Sequence, residues 1–175
     1  MTSQIIFKGI DGVELDAALV RGIDHGDNPI ESFIDGDGGW PLRCCLGNSQ
    51  PGDRIAIVAW SPFDWRGPYR ETGPIVVHTE PCQRATELTS LPDDLNCRAM
   101  TLRPYGRDHT ILYDRVRHVS AGGDLTASTR ELFADEAVGE VHAKNATGGC
   151  FAYVATSPQL HSPQLPFTTV EAAPK

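Results

Sequence analysis

Three short islands hold most of the side chains in this sequence that could do chemistry. They are Arg43-Cys44-Cys45-Leu46, then Tyr69-Arg70-Glu71-Thr72-Gly73-Pro74 running on to His78, and His142-Ala143-Lys144-Asn145 running on to Cys150. A histidine titrates near neutral pH and can move protons. A cysteine beside a cation or an imidazole can be held as a thiolate and act as a nucleophile. Arginine offers a planar fork to a carboxylate or phosphate, and lysine a point charge. These types predict His78, His142, Cys45 and Cys150 as catalytic groups and Tyr69, Arg70, Glu71, Arg103, Lys144 and Asn145 as ligand-binding groups. The ligand so predicted is a small anionic metabolite, held by Arg70 and Lys144.

Each of these residues also has a plainer reading. A lone histidine is more often a polar strand residue than part of a site, and Arg70 with Glu71 can simply pin a loop. Free cysteines are among the most buried residue types, so Cys45 and Cys150 also read as small core residues. Cys45, Cys82 and Cys150 could join His78 around a soft metal. The chain has no CxxC, however, and the His78-to-Cys82 spacing lacks a second pair of the usual kind. No residue is therefore assigned as a metal ligand, and no cofactor is named. Asp35-Gly36-Asp37-Gly38 resembles part of a calcium loop but lacks the later bidentate Glu. A non-catalytic alternative uses Trp40, Trp60 or Trp65 to bind a protein partner.

The elements that must position the islands read chiefly as strands. Residues 3–10 read as a first strand or arm, and residues 13–20 as a short helix. Residues 22–40, rich in Gly and Asp, read as a long irregular loop. Arg54 to Trp60 is apolar on both alternating sets, which predicts a strand covered on both faces. Residues 74–79 follow as a strand that carries His78. Residues 97–103 alternate, Pro104-Tyr105-Gly106-Arg107 reads as a turn, and residues 109–117 return as a hairpin partner. Asp124 is set to cap a helix bearing Leu125, Thr129, Leu132 and Phe133. Residues 138–144 and 149–155 form a last pair, with Val141 and Ala143 on one face and Glu140, His142 and Lys144 on the other. The predicted class is α+β, a single domain with a mainly antiparallel or mixed sheet and one or two helices packed on it.

Composition narrows the function. A chain of 175 residues with 40% hydrophobic and 22% charged residues fits one soluble domain. Residues 1–156 are expected to form it, with residues 157–175 as a Pro-rich disordered tail. A formal net charge of -8 argues against a general nucleic-acid binder, despite the scattered Arg98, Arg103, Arg107, Arg115 and Arg117. The start lacks a signal peptide's basic and apolar regions, and no run is long enough to span a bilayer. The five cysteines are an odd number at low density, which fits a reducing, cytoplasmic setting without membrane or nucleic-acid partners. Oligomeric state is left open.

Taken together, Pro41-Leu42-Arg43-Cys44-Cys45-Leu46, Pro51-Gly52-Asp53, Pro68 to Pro74, Val77-His78 with Cys82, Leu102-Arg103-Pro104-Tyr105, Leu132-Phe133-Ala134-Asp135, and His142-Ala143-Lys144-Asn145 with Gly149-Cys150-Phe151 resemble a bacterial family, domain of unknown function 1203. The resemblance implies a single-domain bacterial protein and brings no assigned catalytic residues. In the family's pattern the Cys44 position is commonly His and the Lys144 position commonly Arg. A lysine there would hold a planar anion less directionally.

Overall fold

The computed structural model describes residues 4–158. Among these, three α-helices and eight strands form two sheets. In chain order they are β1 (Ile6–Lys8), α1 (Gly12–Arg21), β2 (Ser32–Ile34), β3 (Arg54–Trp60), β4 (Gly73–His78), α2 (Asp93–Asn96), β5 (Met100–Gly106), β6 (Arg117–Val119), α3 (Leu125–Leu132), β7 (Val138–Asn145) and β8 (Phe151–Thr156). The larger sheet has the order β1-β8-β7-β5-β6 and the smaller β2-β3-β4. Their strand pairings are antiparallel, consistent with the predicted α+β class and its mainly antiparallel or mixed sheet.

The larger sheet is covered on both faces. One face carries Phe7, Leu102, Val141, Ala143 and Tyr153 against Leu125 and Leu132 of α3. The other presents Phe151 and Val154 to Ile55, Ile75 and Val77 of the smaller sheet and to Leu15 and Ala18 of α1. Burying one such aliphatic side chain contributes about 1.5–3 kcal/mol, so the two layers hold each other. Buried polar atoms are paired across the layers as well: Thr129 Oγ1 on α3 lies 2.9 Å from the Tyr153 hydroxyl on β8.

Local chemistry explains the element ends. Asp11 accepts a hydrogen bond from Glu14 N at 2.7 Å to start α1, and Gly22 at φ 71 ends it. Asp124 accepts from Ala127 N at 2.9 Å and caps α3, in the predicted place. The β7–β8 hairpin closes on Asn145, whose Oδ1 accepts from Thr147 N and Gly148 N at 3.0 and 2.9 Å.

Three sequence expectations are corrected. First, β5 does not stop at Arg103 but continues through Pro104 to Gly106. The Pro104 carbonyl accepts from Leu112 N at 3.0 Å, so its missing N–H faces residues 110–112 and removes nothing from the ladder to β7. The returning segment is a 3-10 turn at Tyr113–Arg115 and the short β6, not a full-length hairpin partner. Second, β3 is the central strand of its sheet, yet Ile57 is 51% exposed, so one face is partly open. Third, residues 22–40 include β2 and are pinned by two buried carboxylates. Asp24 accepts from Gly26 N, Asn28 N and Ala59 N at 2.8–2.9 Å. Asp35 accepts from Asp37 N, Gly38 N and the Ser49 hydroxyl at 3.1, 3.0 and 2.5 Å, spending its oxygens on the turn itself. Most of the predicted tail, residues 159–175, lies outside the described residues. No helix among the described residues is long and apolar enough to cross a membrane.

One edge matters for the site. Strand β4 ends the smaller sheet, and its outer side is met by the chain at Leu42, which bridges Val76 in parallel. Arg43 N donates to Val76 O at 2.9 Å.

Candidate metal centre

That edge contact starts the site. Immediately after it, residues 43–46 turn sharply, and Leu46 takes the left-handed φ of 60. The buried Arg43 side chain anchors the turn by donating to the carbonyls of Phe151 and Pro41. Two successive cysteines, Cys44 and Cys45, are thereby set beside His78, the last residue of β4. The His78 backbone N–H points at Cys44 Sγ, 3.4 Å away. Ala85 N donates to Cys44 O at 3.0 Å, and this bond draws Cys82 in from the far side.

The result is a compact four-donor cluster. Cys44 Sγ lies 3.7 Å from His78 Nδ1, Cys45 Sγ 4.0 Å from the same nitrogen, and Cys82 Sγ 3.6 Å from Cys44 Sγ. The ligand atoms of Cys44, Cys45, His78 and Cys82 all lie within 4.8 Å of one another. A tetrahedral zinc with Zn–S of about 2.3 Å and Zn–N of about 2.0 Å separates two sulfurs by about 3.8 Å and a sulfur from a nitrogen by about 3.5 Å. The separations of 3.6, 3.7 and 4.0 Å lie near those values. The other ring nitrogen of His78, Nε2, sits 3.1 Å from Asp53 Oδ2. Asp53 in turn accepts from Gln50 N at 2.8 Å. A carboxylate behind a histidine is the usual outer support of a metal ligand, since it fixes the ring and its tautomer.

The electrostatics favour ionised sulfur at one position. Hydrogen bonding from Cys45 pulls the Cys44 thiol down to about 5, against the opposing effect of burial, with help from the His78 amide and Cys82. Sharing that interaction pushes Cys45 upward, and burial lifts Cys82 to about 11. A bound dication would let all three ionise together, because it would supply the charge that three adjacent thiolates lack. Arg84 Nη1 also approaches Cys82 Sγ at 3.5 Å.

The remaining predicted site residues divide between other places. Glu71 Oε1 receives both Arg103 Nη1, at 3.0 Å, and Lys144 Nζ. Glu71 and Lys144 line a cavity of about 200 Å³ with Cys150, Thr72, Trp60 and Phe151. Burial lowers the Lys144 ammonium, and Glu71 opposes that shift. Arg70 donates instead to the Ser61 hydroxyl at 2.8 Å, and Tyr69 packs against the Phe63, Trp65 and Tyr105 cluster. Asn145 serves the hairpin turn. His142 is 1% exposed, stacked on Phe63 with ring centroids 4.5 Å apart, and its Nε2 faces Glu140 Oε1 at 3.3 Å. His78 and His142 thus belong to different sheets and keep different partners. Trp60 and Trp65 are buried, leaving Trp40 the more exposed of the three tryptophans.

Sequence reasoning weighed Cys82 with His78 as a soft-metal ligand without assigning it, and did not select Cys44 or Asp53. The available signal was His78 with Cys82 four residues on, plus the adjacent Cys44-Cys45 pair. The pairing of these two segments is made by the Leu42–Val76 bridge, which no spacing rule encodes.

Neither a curated protein nor a solved structure matches the chain. One family match covers residues 39–156, a span that holds all four clustered ligands and Asp53. On that match, the chain belongs to the family described as protein of unknown function (DUF1203).

Proposed function

We propose that this protein binds one zinc ion through Cys44, Cys45, Cys82 and His78, with Asp53 orienting the histidine. The observation that carries the reading is the convergence of three sulfurs and one imidazole nitrogen within 4.8 Å of one another. All four positions are filled by protein, which is the pattern of a structural rather than an open catalytic zinc. Its role is to clamp the 43–46 turn and the segment around Cys82 to the end of β4. Zinc suits this donor set because thiolate and imidazole favour it over hard cations. Elemental analysis of protein purified without added metal, followed by X-ray absorption, tests this. One zinc per chain with three sulfurs and one nitrogen in its shell is expected. Metal-free protein that takes up no zinc and keeps the same melting temperature with and without it overturns the reading.

A second reading rests on the cavity beside Lys144. Lys144 lines the cavity with Glu71, and Arg103, which is outside the lining, draws on the same carboxylate, so Glu71 is shared and Lys144 keeps capacity for a small anion such as a carboxylate. Cys150 on the same wall would lie next to that ligand. Lys144→Met should abolish binding of any carboxylate found by screening, and an unchanged affinity removes this reading.

A further inference from the structure

The sulfurs that converge on His78 can bond to one another as well as to a metal. Cys44, Cys45 and Cys82 are all free, and their Sγ atoms lie within 4.8 Å of one another. Backbone geometry decides which pair can join. Cys44 and Cys45 are sequence neighbours with Cα atoms about 3.8 Å apart, short of the roughly 4.4–6.8 Å that a disulfide spans. Cys82 comes from a separate segment, and its Sγ lies 3.6 Å from Cys44 Sγ, in van der Waals contact. The bond from Ala85 N to Cys44 O, at 3.0 Å, holds the two segments together. A Cys44–Cys82 bond therefore needs no new meeting of chain segments.

The two sulfurs differ in access. Cys44 is fully buried, whereas Cys82 is partly exposed and has Arg84 Nη1 3.5 Å from its Sγ. A small oxidant arriving from solvent therefore meets Cys82 before Cys44. The buried sulfur then stands where a resolving cysteine must stand, against the sulfur that has been oxidised. Sulfur bound to zinc is already thiolate, the form that attacks a peroxide.

We propose, resting on the zinc reading above, that hydrogen peroxide joins Cys44 to Cys82 in a reversible disulfide and so releases the metal. In the first step the Cys82 thiolate breaks the peroxide O–O bond, becomes a sulfenic acid and releases one hydroxide. In the second the Cys44 thiolate attacks that sulfur. The S–S bond forms, the S–O bond breaks and a second hydroxide leaves. Two thiolates are thereby oxidised by two electrons and one peroxide is reduced to two hydroxides. The site loses two of its four donors, with both their negative charges, and no longer holds a dication. A thiol reductant returns the two electrons and restores the donors. In the oxidised protein the 43–46 turn stays joined to the Cys82 segment, while both are freed from His78.

The test is hydrogen peroxide on the full chain supplied with zinc. Bound zinc is measured first, its release is followed with a colorimetric chelator, and peptides cut without reduction are mapped by mass spectrometry. One zinc should leave for each Cys44–Cys82 link formed, and dithiothreitol with fresh zinc should restore thiols and metal together. Cys97→Ser, which removes an exposed thiol outside the cluster, should respond in the same way. Zinc that is bound at the start and stays bound under peroxide overturns this proposal alone. So does release with Cys82 linked to Cys45 or Cys97, with sulfinic acid in place of a link, or only when Cys97 is present. Protein that holds no zinc before oxidation overturns the zinc reading, and the release with it.

Discussion

Asp53 Oδ2 lies 3.1 Å from His78 Nε2, while the opposite ring nitrogen of His78 faces the sulfurs of Cys44 and Cys45. The imidazole thus has one side for a carboxylate and one for soft donors. This arrangement fixes the tautomer in which Nδ1 carries the lone pair, the form a metal needs.

Asp53→Ala is expected to weaken zinc binding about 10–100-fold without removing a ligand. Competition against a colorimetric chelator measures it. An unchanged affinity would mean that Asp53 merely caps its own turn through Gln50.

Cys82→Ser should lose stoichiometric zinc and should also uncouple stability from the metal. Zinc at 1,000 times its dissociation constant stabilises a folded protein by about 4 kcal/mol. Chelation should therefore lower the melting temperature of the unaltered protein markedly and leave that of Cys82→Ser in place. Equal responses of the two proteins to chelation would contradict a clamp at Cys82.

The stability of the 22–40 region should depend on acid through Asp24. Burial would raise this carboxyl, but the amides of Ala59, Asn28 and Gly26 and the Asn28 side chain hold it below the ordinary value. A depressed acid contributes its stability fully above the unfolded pKa of about 4, and loses it as pH falls through the folded value. Asp24→Ala should cost about 2–4 kcal/mol at neutral pH, since it leaves three amides without their acceptor. The deficit should shrink below pH 4. Urea unfolding at neutral and at acidic pH would show it, and a deficit that stays constant with pH would exclude Asp24 as the cause.

His142→Ala should destabilise the protein by about 2–4 kcal/mol by emptying the space between Phe63 and Phe151. Zinc content should stay at the unaltered level, because the partners of His142 are Glu140, Phe63, Tyr105 and Phe151, none of them in the cysteine cluster. Loss of zinc in a folded His142→Ala protein would show that the two histidines are coupled.

The legible parts of this fold were those with a local cause. Asp124 three residues before Ala127 and the alternation of Val141 and Ala143 against His142 both follow from neighbours within a few positions. Pro104 misled because a proline's effect depends on which side its nitrogen faces, and that is set by a segment that follows it. The cysteines misled for a related reason. Familiar metal sites draw pairs of ligands from one turn at spacings of two to four, whereas Cys44 and Cys45 are adjacent and are brought beside Cys82 by the Leu42–Val76 bridge and the Ala85–Cys44 bond. Glu71 sits next to Arg70 in sequence but is claimed by Arg103 and Lys144 from other strands.

The turn that presents Cys44 also covers the outer rim of β4, through the Leu42–Val76 bridge and the Arg43 amide. An uncovered strand rim is a template on which a second chain can add its own backbone. If zinc holds this turn, losing one ligand would reach beyond the metal. The turn would lift and bare the rim of a still-folded sheet to neighbouring molecules, so the expected first sign of metal loss in a concentrated sample is turbidity ahead of unfolding.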